Sequence, residues 1–68
     1  MKIEYDKDVD AAYIYLNYPI KDNAVKKTVE LNDNIALDLD ASNKILGIEI
    51  LDASKVLHKK AILEAIQT

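Results

Sequence analysis

Apolar and polar residues alternate with a period of two along most of this chain, and the period lengthens only near its end. Successive side chains of a strand point to opposite faces, so this alternation marks strands with one face turned to a core. Lys2 to Asp6 places Ile3 and Tyr5 together, and Asp6-Lys7-Asp8 reads as a turn. Ala11 to Asn17 is a second strand, with Ala12, Ile14 and Leu16 on one face and Tyr13 and Tyr15 on the other. Asn17-Tyr18-Pro19 breaks the pattern, because proline lacks the N–H a central strand must donate, and the loop runs on to Asn23. Val25, Lys27, Val29 and Leu31 alternate with Lys26, Thr28 and Glu30 in a third strand. Asn32-Asp33-Asn34 turns the chain into a fourth, where Ile35, Leu37 and Leu39 face inward and Ala36, Asp38 and Asp40 outward. After Ala41-Ser42-Asn43, a fifth strand carries Leu46, Ile48 and Ile50 on one face and Ile45, Gly47, Glu49 and Leu51 on the other.

Beyond Leu51 the spacing becomes helical: Val56, Leu57, Ala61, Leu63 and Ile66 share one broad stripe, with Lys55 and Lys59 toward solvent. Asp52 suits the N-cap and Ser54 is the alternative. The pattern predicts an α+β fold, an antiparallel β-meander of four to five strands with one C-terminal helix packed on one face, as a single domain over residues 1–68.

A chain of 68 residues has a thin core, and without cysteine no disulfide or thiolate metal site can reinforce it. Small domains in that position often gain stability by oligomerisation, so a homo-oligomer, most simply a homodimer, is expected. The opening Met1-Lys2-Ile3-Glu4-Tyr5-Asp6 is charged and alternating, and no apolar run approaches the length of a membrane span, which points to a cytoplasmic protein without membrane contact. A net charge of −3 and the absence of arginine argue against nucleic acid, whose binding is driven by clustered cations.

Three groups of residues are candidates for chemistry. Asp6, Asp8 and Asp10 have the spacing that opens a calcium loop, but the sixth position is Ala11 and the twelfth Asn17, so the rest of that loop is missing. Asp38 and Asp40 emerge on one face of a strand, with Glu49 on its neighbour, and could hold a divalent cation or work as an acid–base pair; as outward acids they also discourage stray edge pairing. His58 stands among lysines with no positioned partner, and Ser42 and Ser54 lie in no nucleophile motif. Tyr13, Tyr15 and Tyr18, with Ile45 and Leu51, instead suggest an apolar patch on the sheet face away from the helix, and a patch of that kind marks a protein interface. Gly47, the one glycine, implies a bulge or a tyrosine ring lying across it.

The elements Ile-Glu-Tyr-Asp at residues 3–6, Asp-Ala-Ala-Tyr-Ile-Tyr-Leu at 10–16, Asp-Leu-Asp at 38–40 and Leu-Gly-Ile-Glu-Ile-Leu-Asp-Ala-Ser at 46–54 together span most of the chain. In them the chain resembles the YuzE-like family of small prokaryotic proteins, domain of unknown function family 2283. The resemblance implies a compact sheet-plus-helix domain, brings no catalytic residue or cofactor, and admits an antitoxin-like role with a small toxin as partner. The expected function is a non-catalytic, self-associating protein-interaction module. The alternative is a small-ligand or divalent-cation binder or an enzyme using Asp38, Asp40 and Glu49.

Overall fold

The structure is a computed structural model and describes residues 1–67. Five antiparallel strands form where the alternation places them: β1 (Lys2–Asp6), β2 (Ala11–Tyr15), β3 (Lys27–Glu30), β4 (Ile35–Leu39) and β5 (Ile45–Leu51). They are followed by α1 (Ala53–Val56), α2 (Lys59–Glu64) and a short β6 (Ile66–Gln67) that pairs in parallel with β1. The fold class is α+β, as the alternation predicts. The sheet order is β3-β4-β5-β2-β1-β6, so the β1–β2 hairpin docks beside the β3-β4-β5 meander through its β2–β5 contact. The connection from β2 to β3 therefore crosses from the middle of the sheet to its edge, which accounts for the long segment around the cis Tyr18–Pro19 bond.

Pairing puts Tyr5, Ala12, Ile50 and Ile35 in one row across four strands, and Ile3, Ile14, Ile48 and Leu37 in the next. Tyr5, Ala12, Ile50 and Ala53 form the buried cluster, and Ile14, Ile48, Leu57, Ile62 and Ala65 pack against it. The core thus sits between the β1-β2-β5 half of the sheet and the C-terminal helices.

The single expected helix is two. Leu57 and His58 both adopt extended backbone angles and separate α1 from α2. At about 100° per residue, a continuous helix would place Ala53 and Ile62 on opposite sides; the break lets both reach the same cluster. It also changes the inward set, since Leu63 and Ile66, expected in the stripe, are exposed and Ile62 packs instead. Helices this short are unstable alone and depend on that packing.

Asp52 occupies the N-cap position of α1 but makes no capping hydrogen bond; its carboxylate accepts from the Asn34 side-chain amide. The cap comes from Asp10 in the β1–β2 turn, whose carboxylate accepts from the Ser54 N–H at 3.0 Å and the Ser54 hydroxyl at 2.7 Å. The Asp10 carbonyl accepts the Ala53 N–H, and the Tyr5 hydroxyl donates to the same carboxylate at 2.8 Å. Asp10 and Asp52 both have positive φ, in the region that Asn and Asp tolerate better than other non-glycine residues.

Candidate functional site

The helices cover one face of the sheet, where Tyr5 is buried, and the other face carries Tyr13, Tyr15 and Tyr18. Tyr13 pairs with Glu4 on β1 and Glu49 on β5, and Tyr15 with Lys2 and Gly47. The Tyr13 ring leans across β5 at Gly47: a Cβ at position 47 would come within 2.5 Å of the ring carbons Cε2 and Cζ, and closer still to the hydroxyl. Only a residue without a side chain lets the ring lie there, so the close approach inferred from the lone glycine is present. The ring spans β5 and donates its hydroxyl to Asp38 on β4 at 2.6 Å, while Thr28 on β3 donates to the other Asp38 oxygen at 2.7 Å. One polar chain thereby links β2, β4 and β3 over the surface of β5.

Tyr15 and Tyr18 extend the aromatic row. Tyr13 and Tyr15 meet edge-on with centroids 4.7 Å apart, and Tyr15 and Tyr18 at 5.1 Å. Both separations are within the range in which edge-to-face pairs attract. The Tyr15 hydroxyl donates to Glu4, and the Lys2 ammonium sits 3.9 Å above the Tyr18 ring while pairing with Glu4 at 3.6 Å. Burial, with the Asp38 hydrogen bond next, pushes the Tyr13 phenol well above its ordinary range, and the Glu4 hydrogen bond raises that of Tyr15. Both are neutral donors at physiological pH.

Beside Tyr13 lies a groove of about 240 Å³. Its lining includes the apolar Val9, Ala11 and Leu51 and the acidic Glu4, Asp6 and Glu49. Val9 and Leu51 are 68% and 47% exposed, well above what a core position would show. The sequence pattern does not mark Val9, which lies in a turn outside any alternating run; the fold brings it to the same groove as Leu51.

Of the residues expected at the interface, Tyr13, Tyr15, Tyr18 and Leu51 lie on the helix-free side, and Ile45 does not join them. The β4–β5 register shifts between Asp38 and Leu39, so Asp38 pairs with Gly47 but Leu39 pairs with Ile45. The extra residue, Leu46, puts Ile45 out of phase with Gly47, Glu49 and Leu51, a consequence of a bulge that strict alternation does not anticipate.

The carboxylates proposed for cation binding are not assembled either. Both Asp38 oxygens accept from Tyr13 and Thr28. Asp40 lies past the end of β4, where its carboxylate accepts from the Ser42 and Lys44 N–H groups and organises the turn. Glu49 pairs with Ala36 and lines the groove. Among the described residues no three Asp, Glu, His or Cys side chains converge as a metal site would require. In the Asp-x-Asp-x-Asp stretch, Asp6 accepts the Asp8 N–H and Asp10 caps α1. His58 is exposed at the start of α2.

An antiparallel sheet with helices on one face and an aromatic, acid-rimmed surface on the other defines a small α+β domain. The chain belongs to the DUF2283 family, described as proteins of unknown function, whose family model matches residues 2–54. It is 41% identical over 59 residues to MJ0789, an uncharacterized protein of Methanocaldococcus jannaschii, a match covering 85% of this chain and 46% of that protein. The chain thus spans about half the length of this relative. No solved structure matches. The family match ends at Ser54, the residue that Asp10 holds, so it encloses both the Tyr5–Asp10–Ser54 connection and the Tyr13–Gly47 contact. No helix of the described residues is long and apolar enough to cross a membrane.

Proposed function

We propose that this chain is a non-catalytic protein-interaction module that docks a partner on its helix-free sheet face. The supporting observation is the combination on that face of an ordered tyrosine row and an apolar groove with exposed Val9 and Leu51. The tyrosines are held by Asp38, Glu4 and each other before any partner arrives, so little side-chain entropy is lost on docking. Asp38 and Asp40, the carboxylates best suited by sequence to acid–base work, are committed to structural hydrogen bonds, which favours binding over catalysis.

Charge selects among partners. Glu4, Asp6 and Glu49 line the groove, and a second copy presenting the same face would bring those acids against one another. A partner offering lysine or arginine beside aliphatic side chains is complementary, and a small basic toxin is one protein of that kind. The test compares the native chain with a Val9→Lys, Leu51→Lys variant, both tagged and recovered from the source cell. Neither side chain belongs to the buried cluster, so the variant should keep its circular dichroism spectrum and melting temperature. A stoichiometric protein retained by the native chain and lost by the folded variant supports the proposal. Equal retention by both, or no retained protein, contradicts it.

A further inference from the structure

The helices cover their side of the sheet only over β1, β2 and β5. We infer that a second copy of the chain covers the rest, packing the same aliphatic surface of β3 and β4 about a two-fold axis. Residues paired directly across antiparallel strands share a face. Ile35 pairs with Ile50 and Leu37 with Ile48, which places both on the helix side, and Val29 joins them opposite Leu37. The Leu31 N–H donates to Ile35 C=O at 2.8 Å, so the β3–β4 register runs on to Leu31, which falls on the same side as Val29. Ile45, turned away from the tyrosines by the bulge, extends the patch through its pairing with Leu39. None of these six is among the residues that form the buried cluster or pack against it. Val29, Leu31 and Ile45 are 37%, 64% and 43% exposed.

Area and charge both name the occupant. The chain exposes 4993 Å², whereas a compact monomer of its 7.6 kDa exposes about 4,300 Å². The excess, about 700 Å², is close to the ~800 Å² that each partner contributes to a standard stable interface. The core is correspondingly thin: among the described residues the large buried side chains are Tyr5, Leu46 and Ile50, and the other buried residues are alanines. On β3, β4 and β5 the acids Glu30, Asp38 and Glu49 all lie on the tyrosine side. The helix side of these strands carries one charged residue, Lys27 on the outer strand, whose long stem can carry its ammonium past the rim to water. A copy presenting this face therefore brings no acids together, unlike a copy presenting the groove. Charge-poor, aliphatic contacts are typical of homodimer interfaces, and a two-fold axis sets one such patch against itself. Two sheets packed face to face at about 10 Å would continue the core rows, Ile50 with Ile35 and Ile48 with Leu37, into the second copy. The tyrosine face lies on the opposite side of the sheet and stays open to the protein partner proposed above.

Sedimentation equilibrium over a wide concentration range tests this, together with nuclear Overhauser contacts between the methyl groups of a labelled and an unlabelled copy. A monomer–dimer equilibrium is expected, with intermolecular contacts among Val29, Leu31, Leu37 and Ile45. Leu31→Lys should weaken the dimer by about tenfold or more, since the axis buries the new charge twice. The Val29→Lys, Leu31→Lys double variant should be a monomer with the native circular dichroism spectrum, because both positions are already exposed and outside the buried cluster. If that double variant does not fold, Leu31→Lys alone and the methyl contacts decide. The Val9→Lys, Leu51→Lys variant should remain dimeric, so a failure of docking on the tyrosine face and a failure of this pairing are read separately. A monomer at every concentration overturns the inference. So does a dimer indifferent to Leu31→Lys, or one lost in the Val9→Lys, Leu51→Lys variant. A monomeric chain that captures a different protein, and releases it in the Leu31→Lys variant, also overturns it.

Discussion

Tyr13 lies across Gly47, filling space that any side chain at position 47 would claim. The contact connects the family-matched Leu-Gly-Ile-Glu-Ile strand to the tyrosine face, because the ring in that place delivers its hydroxyl to Asp38. Gly47→Ala should therefore destabilise the fold by about 1–3 kcal/mol, the usual cost of overpacking. With the ring removed, Tyr13→Ala in the same chain should make the alanine much less damaging. Urea unfolding of the two single variants and the double variant measures this coupling, and strictly additive effects would show that ring and glycine do not compete for space.

The Tyr13 hydroxyl contributes separately from its ring. Tyr13→Phe should cost about 1 kcal/mol, a typical net value for one hydrogen bond, with the sheet intact. An unchanged urea midpoint would show that the Asp38 contact adds nothing to stability.

Alkaline pH should weaken the fold through three phenols. The hydrogen bond to Asp10 raises the Tyr5 phenol, burial and then Asp38 raise Tyr13, and the hydrogen bond to Glu4 raises Tyr15. Between the unfolded value of about 10 and these higher folded values the native state binds more protons than the unfolded one. Their stabilising contribution is whole below that unfolded value and is lost as pH rises through the folded ones. Tyrosinate absorbance followed together with circular dichroism should show ionisation of these groups coinciding with unfolding. Free titration of Tyr5, Tyr13 and Tyr15 in an intact fold would contradict the arrangement.

Asp10 acts at the other end of the scale. Hydrogen bonds from Ser54, then from Tyr5, hold its carboxyl below the ordinary range. Its contribution is present above the unfolded value of about 3.9 and is lost as pH falls through the lower folded one. Asp10→Asn keeps a residue that tolerates positive φ while removing the charge. It should lower the melting temperature near neutrality and flatten the acid limb of the stability curve. An acid limb identical to that of the native chain would mean that Asp10 ionisation is not linked to folding.

The strands were legible because each has a wet and a dry side. β1 and β5 fall where alternation places them, and Gly47 pointed to a ring across it. What escaped is non-local. Strand order depends on β2 meeting β5, residues far apart in the chain, and alternation within each strand says nothing about it. The bulge at Leu46 is an extra residue inside an otherwise regular run, so strict alternation puts Ile45 on the wrong side. Local pattern points to Asp52 or Ser54 as the α1 cap, whereas Asp10 supplies it from another hairpin, 44 residues from Ser54. The helix break follows from the shape of the core, which requires Ala53 and Ile62 on one side.

That break gives a prediction of its own. Leu63, 72% exposed, should accept lysine within about 0.5 kcal/mol, as ordinary surface positions do. Ile62→Ala should cost about 1–2 kcal/mol, less than a fully buried isoleucine because its burial is partial. The opposite ranking in thermal unfolding would restore a single continuous helix.

Docking of a protein on the helix-free face, as proposed, is tested by titrating the isotope-labelled chain with the protein that co-purifies with it and following amide chemical shifts. Docking on this face predicts changes concentrated at Val9, Ala11, Tyr13, Tyr18 and Leu51, with α1 and α2 nearly silent and affinity falling as salt rises. Changes centred on Lys55 to Glu64, or binding indifferent to salt, would contradict it.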